Sequence, residues 1–339
     1  MATQMTDSVN RPRVFAFERN DPTEESLRWL IDRGVEVVLG KPMWENGFKR
    51  YSDDEIIDAA QGFDGVIGAS GANFNRRVID ALPKLKYIAK FGVGVDSIDV
   101  PHATERGILV ANTPVDNQSA PVSEHAIAMM LTLRKRLNEW TPAFMAAGGW
   151  RGDIFCEVIA GSTVGIVGLG RIGSGVAKRL AGWDVKILGY DPFLKAAPEG
   201  VELCSLERLL AESDVVTLHA VPTPQNRGLI DAAALALMKR DAILINTGRA
   251  WLVDYPALRA ALAEGRIGGA GLDVFEAEPP DPADPLFEMK NVVVSPHSAT
   301  WNLAGMKTVG WFAARNMWAM ISGEGEAALV NPEARHPST

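Results

Sequence analysis

Short apolar runs alternate with helical patterns along nearly the whole chain. The first run is residues 14–17. Asp21-Pro22 then offers a capping residue with proline at the first helical position, and Gly34 supplies a stop. Residues 35–39 form the next run. Ser52-Asp53-Asp54-Glu55 opens a helix whose first turn is acidic, as the helix dipole favours. Runs at 65–68, 87–91 and 108–111 follow. Strands alternating with helices imply βαβ units and a parallel sheet covered on both faces.

A longer helical stretch spans 118–137, with Met130, Leu133 and Leu137 at helical spacing. The alternation then restarts, with apolar runs at 164–167, 185–188, 215–218, 243–245, 270–274 and 292–294. Helices are expected at 171–181, 206–212, 232–238 and 254–264, and one more long helix at 301–321. The expected architecture is α/β, with two doubly wound parallel-sheet domains. One comprises residues 1–112 with 302–339, the other residues 113–301. The polar N-terminus up to Arg13 and the C-terminal His336 read as tails.

Composition narrows the class. The chain has 339 residues, 47% hydrophobic and 22% charged, ordinary for a globular protein. Its net charge of −8 argues against nucleic acid or an anionic membrane as the main partner. No apolar run is long enough to span a bilayer, and the N-terminus lacks the apolar core of a secretory signal. Two cysteines, Cys156 and Cys204, make neither a disulfide framework nor a Cys-rich zinc site. A cytoplasmic protein without a metal is expected.

Gly168-Leu169-Gly170-Arg171-Ile172-Gly173 is a G-x-G-x-x-G between an apolar strand and a helical pattern. Gly168 permits a tight turn, Gly170 lets backbone approach a pyrophosphate, and Gly173 lets helix and strand pack closely. The helix N-terminus offers free N–H groups to phosphate. Asp191 ends the next strand, eighteen residues after Gly173. A carboxylate there accepts ribose hydroxyls and repels a 2′-phosphate, so NAD is favoured over NADP. The competing reading is a structural glycine turn with Asp191 as an ordinary surface acid.

Other polar groups fall at expected strand ends, where open α/β sheets bind ligands. Arg249 can grip a carboxylate with two N–H groups, although position alone fits a surface arginine equally well. His297 follows a strand and a proline, and imidazole is suited to proton transfer near neutral pH. Glu278 would orient that ring and keep it protonated. His219 reads as part of a cofactor wall, and His102 and His125 as structural.

These residues resemble the D-isomer-specific 2-hydroxyacid dehydrogenases, the family of phosphoglycerate, glyoxylate/hydroxypyruvate and formate dehydrogenases. The resemblance runs over about residues 60–332. It is carried by Lys90-Phe91-Gly92-Val93-Gly94-Val95-Asp96, Asn112-Thr113-Pro114, Ser123-Glu124, the glycine turn with Tyr190-Asp191-Pro192, and the run from Ser213 to His219. Asn246-Thr247-Gly248-Arg249, the run from Gly271 to Pro279, and Ser295-Pro296-His297 complete it. It implies a flavodoxin-like substrate domain, a Rossmann NAD-binding domain and an active site in the cleft between them. His297 would exchange the proton with the substrate oxygen, Glu278 would hold its imidazole, and Arg249 would bind the substrate carboxylate and polarise the carbonyl. Backbone amides around Val93 and Gly94 would share that carboxylate. Asp273 would fix the nicotinamide amide, and Arg171, Ile172, Ala220, Thr247 and Gly248 would line the cofactor. The substrate would be a small 2-hydroxy or 2-keto acid, glyoxylate/hydroxypyruvate-like or 3-phosphoglycerate, and the protein a homodimer.

The chain departs from the family pattern in places. Ala250 replaces the usual glycine after the arginine, Pro222 is displaced relative to His219, and Ser298-Ala299-Thr300-Trp301 replaces a small-residue turn. Trp301 fits pocket wall and core equally. Ala69-Ser70-Gly71 stands where many members carry a basic residue, and there is no room for regulatory domains, which both lower the expectation of a phosphorylated substrate. Glu278, where formate dehydrogenases carry glutamine, argues against formate. Two other functions remain open on sequence alone. One is an NAD-sensing, corepressor-like interaction protein on the same fold, and the other an unrelated enzyme sharing only the nucleotide-binding turn.

Overall fold

In the computed structural model, residues 11–42, 50–115, 119–152 and 154–335 are described. Two of the sequence expectations therefore lie outside the described residues, the N-terminal tail before Arg11 and the tail at His336. The chain divides into two compact units, residues 1–116 with 301–339 and residues 117–300.

The first unit alternates strand and helix: β1 (Arg13–Arg19), α1 (Glu25–Ile31), β2 (Glu36–Pro42), α2 (Asp53–Ala60), β3 (Gly65–Gly68), α3 (Arg76–Ala81), β4 (Tyr87–Lys90), α4 (Val100–Glu105) and β5 (Leu109–Ala111). The sheet is wholly parallel in the order β2-β1-β3-β4-β5. Strand side chains point alternately to opposite faces. Val66, Ile88 and Val110 accordingly join one core with Phe17, Ile56 and Phe74. Ile67, Ala89 and Ala111 join the other.

Local signals explain where some helices begin. Ser52 and Glu55 form a reciprocal capping box at α2, as the acidic start suggested. The expected start at Asp21 is corrected. The Asp21 carboxylate instead accepts the Thr23 and Ser26 amides, making a turn that delays α1 to Glu25.

The second unit comprises α5 (Ser119–Arg134), α6 (Pro142–Ala146), β6 (Thr163–Val167), α7 (Arg171–Leu180), β7 (Lys186–Tyr190), β8 (Val201–Leu203), α8 (Leu206–Glu212), β9 (Val215–Leu218), α9 (Ala232–Leu237), β10 (Ile243–Asn246), α10 (Tyr255–Ala263), β11 (Gly269–Leu272) and β12 (Val292–Val294). Its parallel sheet runs β12-β11-β10-β9-β6-β7-β8, again with a core on each face. The order reverses between β6 and β9, which makes the crevice at their carboxyl ends the expected ligand site.

The long helix α11 (Leu303–Ser322) returns to the first unit, where Val309, Ala313 and Met317 fill the core beneath β3 and β4. Buried Asn331 ties the following segment to β5 by accepting the Val110 amide and donating to the Ile108 carbonyl. Among the described residues, no helix is long and apolar enough to cross a membrane.

Candidate active site

The glycine turn closes between β6 and α7. Gly168 has φ 88° and lies so close to the end of β9 that a Cβ would sit 2.4 Å from the Ala220 nitrogen. A Cβ on Gly173 would meet the Gly168 carbonyl oxygen at 2.0 Å, so the helix can approach only as glycine. Gly170 differs, because a Cβ there would meet nothing within 4 Å. Backbone is thus open to an approaching group beside the uncapped N-terminus of α7, where Arg171 and Ile172 begin the helix.

Asp191 directly follows β7. Its carboxylate accepts the Leu169 amide at 2.9 Å and the Phe193 amide at 3.0 Å, tying the acid to the glycine turn. Each oxygen keeps a lone pair for a further donor. The facing wall comes from the ends of β9 and β10. His219 is buried, with Nε2 2.9 Å from the Thr217 hydroxyl, and burial pushes its pKa down to about 3. Its Nδ1 and the Thr247 hydroxyl are buried without a protein partner. Unpartnered polar atoms at the carboxyl ends of two paired strands suit a polar ligand. The open glycine, the free helix terminus, the acid and these orphaned atoms together fit a dinucleotide.

After Thr247 the chain turns sharply. The Asn246 side chain accepts the Gly248 amide at 3.1 Å and donates to the Arg249 carbonyl at 3.0 Å. Half-buried Arg249 is thereby set just beyond β10, with one guanidinium N–H on the Gly248 carbonyl at 2.9 Å. The displaced Pro222 lies in a loop held by Asn226, which bonds the Thr223 amide and the Val221 carbonyl, and by the Trp251 indole on the Thr223 carbonyl.

His297 and Glu278, nineteen residues apart, meet with Nδ1 2.8 Å from Oε2. The other Glu278 oxygen accepts the Phe275 amide at 3.2 Å. One ring nitrogen is therefore oriented, while the side chain keeps 48% exposure and leaves the other available. His297 takes a left-handed backbone, φ 52°, an uncommon conformation for a non-glycine residue.

Asp273 holds that turn in place. It is 1% exposed, and its carboxylate accepts the Ser295 hydroxyl at 2.5 Å and the Ser298 and Ala299 amides at 2.8 and 3.1 Å. His125, from α5, completes the chain with Nε2 2.8 Å from the Ser295 oxygen. The sequence reading missed Asn246, Ser295 and His125 as organisers of the site. A polar residue closing an otherwise apolar strand was the only hint for the first, and the others depend on contacts distant in sequence. Trp301 is 48% exposed, which rules out a core role. Val93 and Gly94 belong to the first unit, just after β4, where Asn112 donates to the Val93 carbonyl at 2.7 Å.

Residues 127–299 match the family described as D-isomer specific 2-hydroxyacid dehydrogenase, NAD binding domain. The chain is 35% identical over 320 residues to the D-3-phosphoglycerate dehydrogenase of Archaeoglobus fulgidus, covering 93% of this chain and 59% of that relative. It spans little more than half the length of the phosphoglycerate dehydrogenases it matches. It is 39% identical over 334 residues to the glyoxylate reductase of Korarchaeum cryptofilum, covering 95% of this chain and 97% of the relative. Among solved structures, the TT0316 protein from Thermus thermophilus superposes with a TM-score of 0.85 at 33% identity, covering 94% and 99% of the two chains. A likeness that runs so far beyond one nucleotide-binding turn removes the reading of an unrelated enzyme, and the chain belongs to the D-isomer specific 2-hydroxyacid dehydrogenase family.

Proposed function

We propose that the protein is an NAD-dependent dehydrogenase of a small 2-hydroxy acid or its 2-keto acid, glyoxylate/hydroxypyruvate-like or 3-phosphoglycerate. The observation that carries this reading is the His297–Glu278 pair, fixed at 2.8 Å in the unit that also holds the glycine turn. NAD(H), when bound, supplies or takes the hydride. Gly168, Gly170, Gly173 and the first residues of α7 would seat its pyrophosphate. Asp191 would hold the adenosine ribose, and His219, Ala220, Thr247, Gly248 and Asp273 would line its nicotinamide half.

His297 would protonate the carbonyl oxygen from Nε2 during reduction and take the proton back during oxidation. Glu278 would accept the Nδ1 hydrogen and orient the ring, leaving Nε2 for the transferred proton. Arg249 would clamp the substrate carboxylate and draw charge toward the carbonyl oxygen, and the backbone amides at Val93 and Gly94 would be further donors to a substrate carboxylate. Held this way, the keto acid presents one geometry, which lowers the entropic part of the barrier.

The same reading makes the protein a cytoplasmic homodimer. Its support is a run of exposed apolar side chains between α5 and β6, namely Trp140, Met145, Trp150, Phe155 and Val158. Cys156 and Cys204 are both free thiols.

A panel of 2-keto acids added to enzyme and NADH tests the activity. Loss of NADH absorbance with glyoxylate or hydroxypyruvate is expected. No turnover across a broad panel of 2-keto acids, and none of 2-hydroxy acids with NAD, would sink the reading.

A further inference from the structure

In the first unit the strand order reverses between β1 and β3. Ligands of open α/β sheets bind at the carboxyl ends of strands beside such a reversal. Here those ends bring together Glu18 from β1, the turn after β3 and Lys90 at the end of β4.

After β3 the backbone passes through two successive left-handed residues, Gly68 at φ 96° and Ala69 at φ 60°. The amides that follow converge on one point. Successive N–H groups arranged in this way form a concavity that takes an anion. This one is filled from within. Glu18 Oε2 accepts the Ser70 amide at 3.0 Å and Oε1 accepts the Gly71 amide at 2.9 Å. The Ala69 amide is a further donor, and Lys90 is the neighbouring positive charge. Glu18 and Lys90 are 6% and 8% exposed. Burial pushes the Glu18 pKa up, while the amides and Lys90 oppose that shift. A Cβ on Gly68 would lie 2.5 Å from Glu18 Oε2, so the carboxylate occupies space that only glycine leaves. The turn is also joined to the segment leading to Val93 and Gly94, because the Phe91 amide donates to the Gly68 carbonyl at 3.1 Å.

We propose that Glu18 is a specificity-determining residue that fills the anion-binding turn beside the substrate amides and so selects 2-keto acids with an uncharged far end. The proposal rests on the dehydrogenase reading for its substrate. In that reading a carboxylate of the substrate is held by the amides at Val93 and Gly94. A phosphate or second carboxylate at the other end would find the Ser70 and Gly71 amides already spent and a buried carboxylate against it. Rejection then arises from unmet hydrogen bonds, like charge and the space that the Glu18 carboxylate already fills.

The test compares kcat/KM for hydroxypyruvate and 3-phosphohydroxypyruvate in wild type, Glu18→Ala and Glu18→Gln, with inorganic phosphate binding followed by calorimetry. Wild type should favour hydroxypyruvate by on the order of 100-fold and bind no phosphate at millimolar concentration. Glu18→Ala should narrow the ratio by about tenfold or more, chiefly through KM for the phosphorylated acid, and acquire phosphate binding. Glu18→Gln, which keeps an acceptor but loses the charge, should fall between, and it serves alone if the alanine variant does not fold. Equal use of both acids by wild type overturns the proposal. So do folded variants with an unchanged ratio and no phosphate binding. Should wild type turn over neither acid, nor any acid of the broad panel, the dehydrogenase reading fails, and the phosphate titrations decide the rest: phosphate binding gained only in the variants supports an anion site filled by Glu18, and none in any form overturns it.

Discussion

His219 shows how one side chain ties stability to pH. Burial lowers its pKa from 6.5 to about 3 in the folded protein, so the unfolded chain binds the extra proton between those values. Its contribution is full above pH 6.5 and is lost as pH falls toward 3, by about 1.4 kcal/mol per pH unit. His102 works in the opposite sense, since its hydrogen bonds to Glu105 and Asp80 raise its pKa. Stability from that cluster is present below pH 6.5 and fades as pH rises through the folded value. Urea unfolding between about pH 4 and pH 7 should therefore show a shallower acid loss in His219→Gln than in wild type. An identical slope would mean that His219 is solvated. Residues of this kind are only partly visible before folding. Glu278 and His297 could be named because each sits in a recognisable local run, but their approach to 2.8 Å could not be read. Ser295 was named only as part of a motif and His125 only as structural, because their partner is Asp273, reached only when α5, β11 and the turn after β12 pack together.

At the scale of elements, one strand, one turn and one helix make the nucleotide-binding corner, and its glycines have different duties. Gly173 serves packing, while Gly170 leaves space for something outside the protein. Gly173→Ala should cost roughly 1–3 kcal/mol of stability through overpacking. Gly170→Ala should melt close to wild type yet weaken NADH affinity about tenfold or more, which is about 1.4 kcal/mol. Calorimetric melting and NADH fluorescence titration separate the two, and the same loss of stability in both would remove the distinction. Most strands were legible, since short, mainly apolar runs marked β3, β4, β6, β9 and β10. Helices α3, α4 and α6 and strand β8 were not, because helices of five or six residues complete too few turns to show a period and Glu202 interrupts the three residues of β8. The shifted start of α1 shows a second limit, because Asp21-Pro22 fits a helix cap and a turn equally well until Thr23 and Ser26 close on the carboxylate.

At the scale of the molecule, a net charge of −8 opposes the approach of an anionic cofactor and an anionic acid. Attraction must come from local features, the open N-terminus of α7 and Arg249, and turnover should respond to salt only modestly. The exposed run from Trp140 to Val158 gives the proposed dimer its surface. Sedimentation should report twice the 36.6 kDa chain mass for wild type and a single chain for Trp150→Glu/Phe155→Glu. A monomeric wild type would refute the dimer. The central claim concerns one proton. It is tested most directly by the rate of NADH oxidation with hydroxypyruvate or glyoxylate in wild type and His297→Ala, alongside NADH binding. The expected result is a rate lower by at least about 100-fold with affinity for NADH retained. An undiminished rate in a folded His297→Ala protein would contradict the assignment.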